Sequence, residues 1–135
     1  MALKVRNADT KDARALARVH SSSWRWAYRD LLPASYLDGL RPKLLEQRWA
    51  RKLADGDLEE GVCVAEVDGK VGGFVTFGPH HDPSWLGYAG EVFMLYVEPE
   101  LVGQGVGHAL LESAFERLED AQCYWLVVWV LARNE

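Results

Sequence analysis

With two cysteines in 135 residues, the chain has neither a disulfide framework nor a thiolate metal site. Cys63 and Cys123 stand in apolar, strand-like runs, GVCVAEV and QCYWLVV, with no C-x-x-C pair and no histidine at ligand spacing; they read as core thiols, and no metal site is visible. Also missing is an apolar run of the ~18 residues that a membrane span needs. The N-terminal MALKVRNADT lacks a secretory apolar segment, so a cytoplasmic address without a membrane partner is expected. Repeats, low-complexity tracts and linkers are absent too. What remains is one domain, 1–135, at 49% apolar and 26% charged residues able to bury a core.

Charge is unevenly spread. Up to Lys52 there are twelve Lys/Arg against five Asp/Glu, and from Leu53 onward three against fifteen, for a net −5. The acidic part makes nucleic acid an unexpected partner and is compatible with a cationic amine as substrate; plain solvated faces are the other reading.

Periodicity gives the order β, α, α, β, β, β, α, β. Leu3 to Arg6 is a strand, and Asp9 or Thr10 caps a helix carrying Ala13, Leu16, Ala17, Val19 and His20 toward Tyr28. A second helical region is expected from near Pro33 through Leu53. GVCVAEV and KVGGFVTFG flank Asp68-Gly69, a preferred two-residue hairpin turn. The strand GEVFMLYV follows a loop rich in His, Pro and Gly, residues 78–90. A later helix is expected to place Leu110, Leu111, Ala114, Phe115 and Leu118 on one face, and Cys123 to Leu131 reads as a continuously apolar strand.

The most telling run is LYVEPELVGQGVGHALL, Leu95 to Leu111. An apolar strand ends at Pro99, and a loop with Gly103, Gly105 and Gly107 opens into a helix. Glycines let a ligand approach main-chain N–H groups, and those of a first helical turn lack intrahelical partners and favour an anion. No acidic side chain occupies Leu101 to Leu111, so the place is left open for a phosphate from outside. A Walker loop would need Gly-Lys-Ser/Thr where Gly107-His108-Ala109 stands. The dinucleotide fingerprint would need glycine at His108. A glycine turn used only for tight packing is the plain alternative.

Strand, Pro99 and G-x-G-x-G together resemble the GNAT superfamily of N-acetyltransferases, whose pattern is Arg/Gln-x-x-Gly-x-Gly/Ala. Gly105 and Gly107 match, and Val102 stands in the Arg/Gln slot, where the main-chain N–H remains. The element order and the stretch VHSSSWRWAYRDLLPASYLDGL are similar to the family's as well. The resemblance implies an α/β fold, a mixed and mostly antiparallel central sheet with helices on both faces, here truncated after the fifth strand. It implies acetyl-CoA as acyl donor, lying where the fourth and fifth strands splay apart. Val97 then meets the pantetheine, the Leu95 N–H the thioester oxygen, and the N–H groups of Val102, Gly103, Gln104, Gly105, Val106, Gly107 and His108 the pyrophosphate. Asn134 matches the start of a further family motif. The tyrosine that protonates the leaving thiolate in the family falls beyond Glu135.

Transfer of acetyl to an amine needs a proton acceptor, because an alkyl amine with pKa ~10.4 is mostly ammonium at pH 7. Glu91 is the candidate. It sits in an otherwise apolar strand, where partial desolvation is expected, four residues before Leu95, where the resemblance places a general base. Strict alternation sends Glu91, Phe93, Leu95 and Val97 to one face; an exposed glutamate starting a strand is the alternative. His80 and His81 can edge an acceptor site, and Trp24, Trp26, Tyr28 and Trp85 can wall it.

The expected function is an N-acetyltransferase acting on a primary amine in a ternary complex. A non-catalytic acyl-CoA-binding module and a plain structural domain are the alternatives. Both faces of the last strand are apolar, so a longer natural chain or a homodimer is expected to cover it.

Overall fold

A computed structural model describes residues 2–27, 29, 33, 42–55, 61–79, 89–120 and 125–128. Its elements are β1 (Leu3–Asn7), α1 (Ala13–Ala27), α2 (Pro42–Asp55), β2 (Gly61–Val67), β3 (Lys70–Pro79), β4 (Ala89–Val97), α3 (Val106–Asp120) and β5 (Trp125–Val128). The sheet order is β1-β2-β3-β4-β5. The first four strands pair antiparallel, while β5 lies parallel to β4 from Ala89↔Trp125 to Val92↔Val128. The sheet is therefore mixed and mostly antiparallel, as the sequence leads one to expect.

Local chemistry fixes the turns. Asp68 and Gly69 both take positive φ, 52° and 85°, the conformation a two-residue hairpin turn demands. The Asp68 carboxylate also accepts the Ala2 N–H at 2.8 Å, fastening β1 beside the hairpin. Ahead of α1, Asp9 accepts the Lys11 N–H while Asp12 reaches back to the Asp9 N–H, a capping box around the 3-10 turn Thr10–Asp12. Asp12 is buried and held from the other side by both terminal nitrogens of Arg6, at 2.8 and 2.9 Å. The hydrogen bonds from Arg6 keep its carboxyl below the ordinary range.

Helices cover both faces. On one, Val106, Leu110, Ala114 and Leu118, spaced four apart along α3, pack against Cys63, Ala65, Val75, Phe77 and Val92. On the other, Ala13, Leu16, Ala17 and Val19 of α1 and Trp49 of α2 pack against Val64, Val71 and Phe74. Each large side chain so buried contributes about 1.5–3 kcal/mol. Cys63 is fully buried and free, as expected of a core thiol, and burial pushes its pKa up.

One expectation needs correction. Phe115 is 42% exposed: α3 buries the line Val106, Leu110, Ala114 and Leu118 with Leu111 packed beside it, and Phe115 lies past that edge. Of the helical region expected from near Pro33 through Leu53, α2 covers Pro42–Asp55, Pro33 itself is exposed outside any helix, and residues 34–41 lie outside the described residues. A proline suits a first helical turn, where its missing N–H costs nothing, and Pro42 takes that place. Cys123, Tyr124 and residues 129–131 lie outside the described residues. No described helix is long and apolar enough to cross a membrane.

Candidate active site

After β4 the chain makes a 3-10 turn, Pro99–Leu101, and reaches α3 through four residues. Gly103 and Gly105 hold φ of +84° and +86°, which side-chain-bearing residues rarely adopt. Both face open space. Gly107 has no positive φ, and a Cβ there would make ordinary contact with Val97, so its role differs from that of the other two.

The donors of this loop divide into two sets. The Val102 N–H goes to the Pro99 carbonyl and the Gln104 N–H to the Leu101 carbonyl, each at 3.3 Å. Among the described residues, the N–H groups of Gly103, Gly105, Val106, Gly107 and His108 meet no protein acceptor, and intrahelical bonding starts with the Ala109 N–H on the Gly105 carbonyl. No acid stands in the first turn of α3. Five donors thus point out of a positive helix end, an arrangement that takes an anion. The His108 imidazole lies against the Glu112 carboxylate at 3.0 Å on the exposed side of α3.

Upstream, β4 carries an inserted residue. Thr76 pairs with Met94 and Phe77 with Val92, so Phe93 is the extra residue of a bulge. The expected alternation is broken there. Val92, Leu95 and Val97 all pack toward α3, while Met94 and Tyr96 pack toward α1 and α2. A Cβ on Gly90 would strike Leu118 of α3 at 2.6 Å, so Gly90 and Val92 share the α3 face. Glu91, between them, takes the α1/α2 face and is half-buried. It does not share a face with Leu95 and Val97.

The Glu98 N–H bonds the Gly72 carbonyl at 2.8 Å, which sets the phase of the ladder. Tyr96–Phe74 and Met94–Thr76 are then the hydrogen-bonded pairs, and Leu95 and Val97 turn their main-chain groups away from β3. They face the side where β5 pairs with the first half of β4.

The α1 wall contributes groups that no motif announces. The Ser23 hydroxyl donates to the Val97 carbonyl at 2.9 Å. Arg18 bonds the buried Glu98 carboxylate at 3.3 Å and the Val71 carbonyl at 2.6 Å, binding α1 to the end of β4. Burial pushes the Glu98 carboxyl up against the opposing pull of Arg18. These partners are 74 and 80 residues apart in the chain, beyond any local signal.

His20 stacks on Tyr96 at 5.2 Å and accepts the Trp49 indole N–H on Nδ1. Burial, with help from Lys52 and Arg48, lowers its pKa. The unfolded chain therefore binds the proton more readily, and stability falls as pH drops below about 6.5 toward the lowered native value. Denaturant titrations between pH 8 and pH 5 are expected to show that fall, and His20→Gln should flatten it. An unchanged slope in His20→Gln would assign the dependence elsewhere.

Trp24 is half-buried and Trp26 exposed on α1. Tyr28, His80, His81, Trp85 and Asn134 lie outside the described residues.

Three comparisons bear on this geometry. The sequence model of the acetyltransferase (GNAT) family matches residues 18–135. An uncharacterized N-acetyltransferase of Bacillus subtilis, YuaI, is 36% identical over 131 residues, spanning 96% of this chain and 72% of that one. Among solved structures, the PaiA N-acetyltransferase of Thermoplasma acidophilum in complex with coenzyme A superposes with a TM-score of 0.84 at 20% identity, over 100% of this chain and 83% of that one. YncA of Salmonella typhimurium, a putative acetyltransferase solved with acetyl-CoA, gives 0.69 at 23% identity, over 99% and 73%.

Proposed function

Because the chain belongs to the acetyltransferase (GNAT) family, we propose that it moves acetyl from acetyl-CoA to a primary amine, of a small molecule or a protein, by direct attack in a ternary complex. The observation that carries this reading is the row of five unpaired N–H groups at the head of α3, continuous with a strand whose Leu95 and Val97 main-chain groups face away from β3. The row takes the pyrophosphate, and the Val97 N–H takes the pantetheine. Asn134 belongs to the cofactor side by its family motif.

The Leu95 N–H polarises the thioester carbonyl and holds the oxyanion that forms on attack. Glu91 accepts the proton of the incoming ammonium, directly or through a water, leaving a neutral nitrogen to attack the carbonyl carbon. Its place on the α1/α2 face suits this role. The acceptor approaches from that side, while the Leu95 and Val97 side chains point into the opposite core. The tetrahedral intermediate then expels the CoA thiolate, which takes up the proton that the nitrogen sheds.

CoA binding only the folded chain should raise the melting temperature, with about 2.7 kcal/mol gained at a hundredfold excess over Kd. Gly105→Asp is expected to abolish that rise. Its carboxylate would stand where the phosphate goes, and an acid at a helix start takes up the same N–H groups. ATP and NAD should produce no shift. Calorimetry showing no CoA binding to the wild-type protein would overturn the reading; binding without turnover of any amine would make the chain an acyl-CoA-binding module.

A further inference from the structure

The catalytic reading leaves the basic charge of the N-terminal third unused. Part of it is organised. A groove of about 790 Å³ runs between α1 and the start of α2, lined among the described residues by Arg14, Arg18, Arg25, Lys43 and the carboxylate of Glu46, with Ser22 among its hydroxyls. Arg14, Arg25 and Lys43 are exposed, and among the described residues Arg14, Lys43 and Glu46 form no ion pair. Arg18 is already met by Glu98, but the exposed Arg14 and Lys43 share the concavity without an ion pair among the described residues, and an anion in the groove offsets the cost of holding their charges there. The volume suits a small molecule better than a flat macromolecular contact.

The groove also has a definite address. Ser22 lines it, and the adjoining Ser23 holds the Val97 carbonyl; Arg18 lines it while grasping Glu98 at the end of β4. It therefore borders the stretch of β4 along which transfer is proposed, on the α1/α2 side where Glu91 lies. A basic groove and an acidic residue on one side of the sheet complement a ligand with opposite charges at its two ends.

We infer that this groove holds an anionic group of the acceptor, so that the substrate is a small amine also carrying a phosphate or carboxylate. The inference rests on the acetyl-transfer reading above and names the substrate class for it. The amine end goes to the thioester proposed at Leu95, two residues from Val97, and gives its proton to Glu91 through water, while the anionic end is held by the guanidinium groups of α1 and the ammonium group of Lys43.

The test pairs 3-aminopropyl phosphate with 3-aminopropanol, which share the amine and differ in the anion. Wild-type protein is expected to prefer the phosphate by about tenfold or more in kcat/KM, mostly through KM, as charge-assisted contacts allow. In the double variant Arg14→Glu, Lys43→Glu the preference should vanish, and the neutral amine should be affected far less. Raising ionic strength should erode the wild-type preference too. Equal turnover of both amines by the wild type, or a preference that survives the double variant, overturns the inference and leaves acetyl transfer standing. If the variant instead abolishes discrimination between CoA and dephospho-CoA, the groove serves the cofactor's own phosphate and the inference fails. If neither amine is turned over, acetyl transfer is what fails, and calorimetry decides the groove. Binding of 3-aminopropyl phosphate to CoA-saturated wild type but not to the variant upholds it; equal or absent binding overturns it.

Discussion

Replacing Glu91 by glutamine is expected to lower kcat by ~10²–10⁴-fold, the range typical of a lost general base, while CoA affinity stays within a factor of about two. Glutamine keeps the shape and loses the proton-accepting charge. Because the bulge at Phe93 turns position 91 away from the α3 core, the change leaves the packing of Val92, Leu95 and Val97 intact. The defect should shrink for weakly basic amines that are already neutral at pH 7, since they arrive without the proton that Glu91 removes. Paired kinetics on a strongly and a weakly basic amine check this. An equal loss for both amines would mean that position 91 shapes the strand, and full activity would remove Glu91 from the chemistry.

Phe74→Ala is expected to cost ~3–5 kcal/mol of stability, the usual range for removing a buried aromatic side chain. That is a large part of the roughly 5–15 kcal/mol that holds a domain folded. Phe74 is the largest fully buried side chain described, at the centre of an aromatic group where its ring meets Trp49 edge-on at 5.0 Å, Tyr96 at 5.5 Å and His20 at 6.1 Å. Each such pair adds about 0.5–1.5 kcal/mol beyond the area it buries. Since His20 of α1 stacks on Tyr96 of β4, the cavity would also loosen the contact between α1 and β4. Urea titration of Phe74→Ala and Phe74→Leu measures it, the leucine variant losing much less. A loss below about 1 kcal/mol for alanine would contradict the packing described, because such a cavity would have to close without cost.

Different parts of this molecule were legible in the sequence to different degrees, and particular residues show why. Asp68-Gly69 announced its hairpin because few residue pairs tolerate two positive φ values in succession. Gly103 and Gly105 announced the turn ahead of α3 for the same reason, their φ being positive as well. Gly107 looked alike in the sequence and proved to be an ordinary helical residue, since a letter does not state its φ. The bulge left no mark, because Phe93 is as apolar as its neighbours and an inserted residue changes register without changing composition. One unrecorded residue was enough to move Glu91 to the other face. Phe115 was misplaced because a stripe read from five apolar residues is wider than the line of four that α3 buries. Ser23 on Val97 and Arg18 on Glu98 join places that meet only once the sheet and α1 have assembled.

Strand order in the sheet repeats strand order in the chain, and this has a kinetic consequence. Each of β3, β4 and β5 closes onto the strand just before it, so most loop closures are short and their entropy is met in small steps. Only β1 must find its partner across the whole α1–α2 segment. A chain emerging from its N-terminus holds β1, α1 and α2 without a sheet to pack on until the β2–β3 hairpin appears. The glycine loop and β5 follow β4 in the chain, so they join the sheet only after the wall of α1 already has β1 to β4 beneath it.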